Sequence, residues 1–306
     1  METRTDEGAP DGETLPLDPH QHARVKDRLL LLTGAVLSFV IFWWVGALVG
    51  VPANKGYSAS LIQQPMAWLM FVAVAITFVV CVGLSSLVAG SVHFDAGFAC
   101  AAAGMSALSM RGGPMRYALM ASPGRGVFIW MAVELLLLYG VLALGWMKLM
   151  ALSDKKYLKS EELRWLSGEA DEVPSQGALA IASQVMLMLF LMSILCQTDK
   201  KGQVIAAVGI SAFLATLGAH SVFPTRPSAW FWCGPLVAGL MGYLFAYWGD
   251  GDWTTGEVYG WSPQLGRPLP LDYATAGPVG ALLGYWVSRR WHLMRETESE
   301  PGVVVG

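Results

Sequence analysis

Charged residues are scarce in this sequence, and most of them lie in the tails and in a few short polar segments. Asp, Glu, Lys and Arg make up 14% of the 306 residues, whereas soluble domains contain about 25%. The net charge of −3 leaves no basic surface for nucleic acid. Long apolar runs separate the charged segments, and 54% of the chain is hydrophobic. This pattern predicts a polytopic membrane protein whose main partner is the lipid bilayer.

Clustered thiols and familiar catalytic motifs are missing as well. The sequence contains no GxxxxGK[ST], HExxH or GxSxG motif, so it favours no nucleotide-driven pump and no familiar hydrolase. The four cysteines lie in apolar segments without a CxxC pair, and we expect them to be small packing residues: Cys81, Cys100, Cys196 and Cys233. We therefore predict no metal and no cofactor, and an enzyme is not favoured.

Eight segments have the composition of transmembrane helices. A helix needs about 20 residues to cross about 30 Å of hydrocarbon, and seven of the segments meet this length with few charges. We predict an all-α transmembrane bundle over residues 29–291, with spans at about 29–51, 65–90, 92–110, 126–150, 177–197, 203–222, 228–248 and 272–291. Residues 1–28 are predicted to be a disordered cytoplasmic tail, and residues 292–306 a short cytoplasmic tail.

The third segment, VHFDAGFACAAAGMSALSM at residues 92–110, is the doubtful one. Its apolar part is 15 residues long, about 22 Å at 1.5 Å per residue, and Ala, Gly and Ser contribute little insertion energy. The segment can span if neighbouring helices shield it, because small residues let helix backbones approach closely. A re-entrant segment, which would leave seven spans, is the alternative.

The distribution of basic residues favours eight spans. Lys and Arg collect on the cytoplasmic side of membrane proteins. With eight spans and both termini in the cytoplasm, thirteen basic residues lie inside and seven outside, whereas a re-entrant third segment gives ten on each side. We therefore predict a multi-pass protein of the cell membrane, plasma or inner, with both termini inside. The seven basic residues on the unfavoured side include Arg111, Arg116, Arg125, Lys200 and Lys201.

Small residues recur at every fourth position in several spans. Residues four apart share one helix face, and smooth faces of this kind are typical of closely packed transmembrane helices. In the last two spans the predicted helix-packing residues are Gly234, Ala238, Gly242, Ala276, Gly280 and Gly284. A pore lined by small residues would give the same pattern, but close helix packing explains it more simply.

Glu134 is the only acidic residue well inside a confident span. An ionised side chain at the centre of a membrane helix costs about 2.5–3.5 kcal/mol, so such residues tend to face the bundle interior and to mark function. We identify Glu134, Gln184, His93 and Asp95 as a candidate intramembrane polar site. The alternative is structural, with Glu134 bonded between helices and Asp95 as the N-cap of the third segment.

Two functional hypotheses follow. The first is a non-catalytic subunit or scaffold of a membrane assembly, with other membrane proteins as partners. The second is a small permease or channel that uses Glu134 as a polar or proton-carrying group. Coupled transporters commonly contain several buried ionisable groups and interrupted helices, so a single buried glutamate favours the first hypothesis. A water-accessible cavity that reaches Glu134 would favour the second.

Overall fold

A computed structural model is almost entirely helical over the residues that it describes. It describes residues 19–48, 60–64, 66–89, 95–121, 124–153, 174–225, 228–249, 251–252, 257–258 and 262–299. The helices are α1 (Pro19–Leu48), α2 (Ala67–Ala89), α3 (Ala96–Arg111), α4 (Met115–Ala121), α5 (Gly126–Ser153), α6 (Pro174–Leu195), α7 (Lys201–Val222), α8 (Ala229–Trp232), α9 (Gly234–Trp248), α10 (Ser262–Gly266) and α11 (Pro270–Ser299). Two strands of two residues each, β1 (Gly251–Asp252) and β2 (Glu257–Val258), pair antiparallel between α9 and α10.

Among the described residues, six helical segments are long and apolar enough to cross a membrane, the last of them formed by α8 and α9 together. They are Val25–Leu48, Ala67–Ala89, Gly126–Met150, Ser175–Leu195, Lys201–Val222 and Ala229–Trp248. The predicted all-α transmembrane bundle is therefore confirmed as a fold class, and the chain is an integral, multi-pass membrane protein.

Helix α11 is not one of these six, contrary to our expectation that residues 272–291 would qualify on composition. The reason is physical, because this helix contains a buried acid, Asp272, and an internal proline, Pro278, among its glycines and tyrosines. Most of its side chains over 270–288 are buried against other helices and therefore do not need to be strongly apolar. The count of eight spans stays a prediction.

Helix α3 is one continuous helix within the bundle. Asp95, which precedes it, contacts Trp146 near the end of α5, whereas Ser109 in its last turn contacts Asp272 at the start of α11. These contacts define two ends of the bundle, which we call the Asp95 end and the Asp272 end. At 16 residues, α3 is about 24 Å long, and it connects the two ends.

Small side chains allow the neighbours of α3 to shield it. Twelve of its 16 residues are buried, mainly against α1, α2 and α11. A Cβ atom at Gly104 would overlap Ser38 of α1, so only glycine permits this approach of the two helices. The segment is thus surrounded by helices, as a weakly apolar span would require, although whether it crosses the bilayer stays a prediction.

Helices α7 and α11 approach closely where both present small residues. A Cβ atom at Gly280 would overlap the carbonyl oxygen of Gly209, and one at Gly284 would overlap the carbonyl oxygen of Phe213. Gly242 of α9 lies equally close to the α10 backbone, since a Cβ there would be 2.7 Å from the carbonyl oxygen of Leu265. Small residues in the last spans therefore lie at backbone-to-backbone contacts.

The helices extend beyond the predicted spans at both termini. Helix α1 begins at Pro19, so residues 19–28 are helical rather than disordered. Proline suits the first helical position, and no glycine or proline interrupts the next nine residues. Helix α11 continues to Ser299, past the predicted end of the span at residue 291. Residues 1–18 and 300–306 lie outside the described residues.

Candidate functional site

Glu134 lies on α5 and is completely buried. Its carboxylate accepts a hydrogen bond from the Ser60 hydroxyl and from the backbone N–H groups of Leu61 and Ile62, each at 3.2 Å. All three donors belong to the connection between α1 and α2. Both side-chain oxygens of Glu134 are acceptors in these hydrogen bonds. Glu134 thereby fastens this connection to α5.

A second carboxylate, Asp272, lies in a polar cluster at the same end of the bundle. Its Oδ1 atom is 2.6 Å from Nζ of Lys201 and also accepts a hydrogen bond from the Ser109 hydroxyl. Its Oδ2 atom accepts a hydrogen bond of 2.9 Å from the backbone N–H of Leu269. The cluster ties together α3, α7 and α11, and Asp272 is only 1% exposed.

The local sequence explains the position of Asp272. Pro270 occupies the first position of α11, and Asp272 the third, from which its side chain reaches back to the N–H of Leu269 as in a capping box. Lys201 is the first residue of α7, where the helix dipole disfavours a cation. The carboxylate of Asp272 compensates for this unfavourable position.

This ion pair was not predicted from the sequence. There, Lys201 was one of the basic residues on the unfavoured side of the membrane, and Asp272 was the first residue of a span. The pattern Leu-Pro-x-Asp was the available signal for a helix start with a carboxylate at the third position. The contact with Lys201, 71 positions earlier in the chain, has no local signal.

Three buried tyrosines surround the Asp272 end. Tyr243 donates to the carbonyl oxygen of Pro268 at 2.8 Å, and Tyr273 donates to that of Leu265 at 3.2 Å. Tyr139 of α5 donates to the carbonyl oxygen of Tyr273 at 3.3 Å. These bonds attach α10 and the first turn of α11 to α5 and α9. The carboxylates of Glu134 and Asp272 therefore lie at an end of the bundle where hydrogen bonds join several helices.

Gln184 lies elsewhere, between α6, α7 and α8. Its Nε2 atom donates to Oγ1 of Thr216 at 2.7 Å and to the carbonyl oxygen of Phe231 at 2.8 Å. A Cβ atom at Gly234 would overlap its side-chain amide, so the glycine makes room for it. Gln184 therefore joins three helices through these two hydrogen bonds.

Asp95 is buried at the opposite end of the bundle from Glu134. It occupies the N-cap position of α3, but its side chain makes no capping hydrogen bond, so the predicted capping role is wrong. The backbone at Asp95 is already helical (φ −73°, ψ −7°), whereas a capping residue is typically extended. Its Oδ1 atom instead accepts a hydrogen bond of 3.4 Å from the Trp146 indole.

A histidine–serine pair that is not part of the predicted site lies at the Asp95 end. Nδ1 of His220, in the last turn of α7, is 2.8 Å from the hydroxyl oxygen of Ser288 on α11. Ser221 lies 3.3 Å from the same hydroxyl. Ser288 is 1% exposed and His220 4%. The pair therefore forms a buried polar contact between α7 and α11.

The three predicted site residues that the structure describes, Glu134, Gln184 and Asp95, do not lie together. Glu134 is near the Asp272 end, Asp95 is at the opposite end, and Gln184 lies in a separate contact. His93 is outside the described residues. In the part of the chain that the structure describes, no group of three or more His, Cys, Asp or Glu side chains is arranged to hold a metal ion.

Comparison with known proteins identifies no relative. No protein-family model, no curated protein and no solved structure matches this chain. The function has to be argued from the residues themselves.

Proposed function

We propose that the protein is a non-catalytic subunit or scaffold of a membrane assembly in the cell membrane, plasma or inner. The supporting observation is the state of Glu134, the residue best placed to serve a permease. Its carboxylate is 0% exposed and accepts three hydrogen bonds from one connection of the same chain.

A coupling carboxylate in a transporter must exchange partners, since it binds and releases a proton or an ion during each cycle. The donors to Glu134 include two backbone N–H groups, which cannot leave without moving the connection between α1 and α2. Gln184 is engaged in the same way by Thr216 and the Phe231 carbonyl. Both polar residues thus serve contacts within the bundle, as expected of a structural membrane subunit.

The test combines the mass of the native particle with a flux assay. The full-length protein, extracted in mild detergent, is expected to run as a discrete complex above its own 33.0 kDa, with a second membrane protein in fixed stoichiometry. The Glu134→Gln variant should give the same complex. Proteoliposomes of the purified chain should show no proton flux, measured with an entrapped pH-sensitive dye, above that of empty vesicles.

Ser60→Ala is the matched control, because it removes one donor but keeps the carboxylate. A proton flux that Glu134→Gln abolishes and Ser60→Ala preserves, with both variants normally folded, would show that Glu134 works as a permease group. A wild-type chain that purifies alone as a monomer would also contradict the proposal.

A further inference from the structure

An apolar groove lies between α3, α7 and α11. Its cavity volume is about 410 Å³, and its walls include Ala206, Gly209, Ile210, Phe213 and Leu283. Ala206 and Ile210 are exposed, so the groove opens to the surface of the bundle. A cavity of this size lies within the range of small-molecule sites, which is about 300–1,000 Å³.

The length of the groove matches one leaflet of a bilayer. Along α7 it extends from Ile205 to Phe213, and along α11 from Thr275 to Leu283. Each stretch corresponds to about 12 Å at 1.5 Å per residue. One leaflet contributes about 15 Å of hydrocarbon, half of the bilayer core. An acyl chain fits this length, whereas a partner transmembrane helix would contact the bundle over the full thickness.

The polar cluster of Ser109, Lys201 and Asp272 closes one end of the groove. Each residue belongs to one of the three helices that form the walls, and each lies about one turn beyond a wall residue: Ser106, Ile205 and Thr275. The site therefore has an apolar body and a polar head at the depth where helices α7 and α11 begin. This is the shape of an amphiphile site at a membrane boundary.

The exposed basic group at this polar head is Lys200. The side chain of Lys201 is 17% exposed and that of Asp272 is 1% exposed, but the Lys201 ammonium nitrogen itself is buried, so only the stem of this side chain reaches the surface. Besides its ion pair with Asp272, the Lys201 ammonium makes no hydrogen bond within the described residues. Lys200 beside it is exposed, and the neighbouring acid, Asp199, is paired with Arg116 at 3.5 Å.

We propose that this groove binds an acyl chain of an anionic phospholipid whose headgroup lies against Lys200, beside the buried pair of Lys201 and Asp272. Basic groups between transmembrane helices bind anionic lipid headgroups, and here an exposed lysine lies near the end of a groove of acyl-chain length. The proposal also accounts for a lysine that the distribution of basic residues leaves on the unfavoured side of the membrane. It does not rest on the assembly role proposed above.

The test compares phosphatidylglycerol with phosphatidylcholine of the same acyl chains. Full-length protein is exchanged into an equimolar mixture of the two lipids, and retained lipid is counted by native mass spectrometry. Wild-type protein is expected to retain one phosphatidylglycerol in preference to phosphatidylcholine. Lys200→Gln should lower this preference about fivefold, because each basic residue near a membrane surface contributes about 1 kcal/mol.

Two variants fill the groove. Gly209→Leu projects from a position where a Cβ atom would make only ordinary contacts, 3.7 Å from Ala276, and Ala206→Leu starts from an exposed wall residue. Both are expected to lose the bound lipid. Gly140→Leu, on the exposed face of α5 with open space around it, is the matched control and should keep it.

Equal retention of the two phospholipids by wild-type protein would overturn the proposal. So would undiminished phosphatidylglycerol binding by both groove-filling variants. Because Ala206 is exposed, Ala206→Leu should fold even if Gly209→Leu does not, and size-exclusion chromatography of each variant provides the check on folding.

Discussion

Lys201 and Asp272 form an ion pair of 2.6 Å between the first turns of α7 and α11, two helices that pack along most of their length. Loss of one member of a buried pair leaves an uncompensated charge, which costs about 3–5 kcal/mol. We expect Asp272→Asn to lower the free energy of unfolding by about 3 kcal/mol, since Asn can still accept from Ser109. The double variant Lys201→Gln/Asp272→Asn should recover part of this loss. Unfolding titrations in mixed micelles measure both values, and strictly additive losses would contradict the pairing.

Gly280→Ala tests the contact between α7 and α11. The new methyl group would overlap the carbonyl oxygen of Gly209, and overpacking of this kind typically costs about 1–3 kcal/mol. Gly140→Ala, where the Cβ meets open space, should leave stability unchanged or slightly higher, because Ala is the better helix former. Thermal unfolding followed by fluorescence-detected size exclusion compares the two. Equal melting temperatures would show that the helices do not approach as closely as described.

Glu134→Ala should release the connection between α1 and α2. With the carboxylate gone, the N–H groups of Leu61 and Ile62 lose their acceptor, and each buried unpaired group costs about 1–3 kcal/mol. A cysteine placed at Gln64 reports on this connection, and the native Cys81, Cys100 and Cys196 are buried. Maleimide labelling of Gln64→Cys should be faster in the Glu134→Ala background. Unchanged labelling would argue against the fastening role.

Gln184→Leu should weaken the contact of α6 with α7 and α8. It removes the donor to Thr216 and to the Phe231 carbonyl. Hydrogen bonds between membrane helices are worth about 0.6 kcal/mol each, and at most about 1.7, so a loss of about 1–2 kcal/mol is expected. Thr216→Val, which removes only one of the two acceptors, should cost less. If Thr216→Val is the more damaging change, the amide does not bridge the helices as described.

The topology prediction is tested at the chain ends. If α3 and α11 both cross the bilayer, fusions of a cytoplasm-active fluorescent reporter to either terminus should be bright, and fusions of a periplasm-active phosphatase should be inactive. Opposite results for the two termini would mean that an odd number of helices crosses. The spans following residue 92 would then require the reverse orientation.

Much of the fold follows from the sequence because the bilayer imposes a length and a polarity on each span. The apolar runs at 65–90 and 126–150 match α2 and α5 closely, and their ends coincide with polar or small residues. The weaker segments were less predictable, because α3 is short and rich in Ala, Gly and Ser, and α11 contains Asp272, Pro278 and several glycines. They are buried by their neighbours, and only the packed bundle supplies that shielding.

The candidate site shows the same difference between what the sequence predicts and what only the packed bundle decides. The sequence by itself determined that Glu134 would be a buried acid, because it occurs eight residues inside an apolar run that has to be helical. Only the tertiary structure decided its partners, Ser60, Leu61 and Ile62, and brought Lys201 to Asp272. The sequence immediately around a residue indicates the local environment of its side chain. A contact between residues 70 or more positions apart depends on how the helices pack, and no local pattern contains that information.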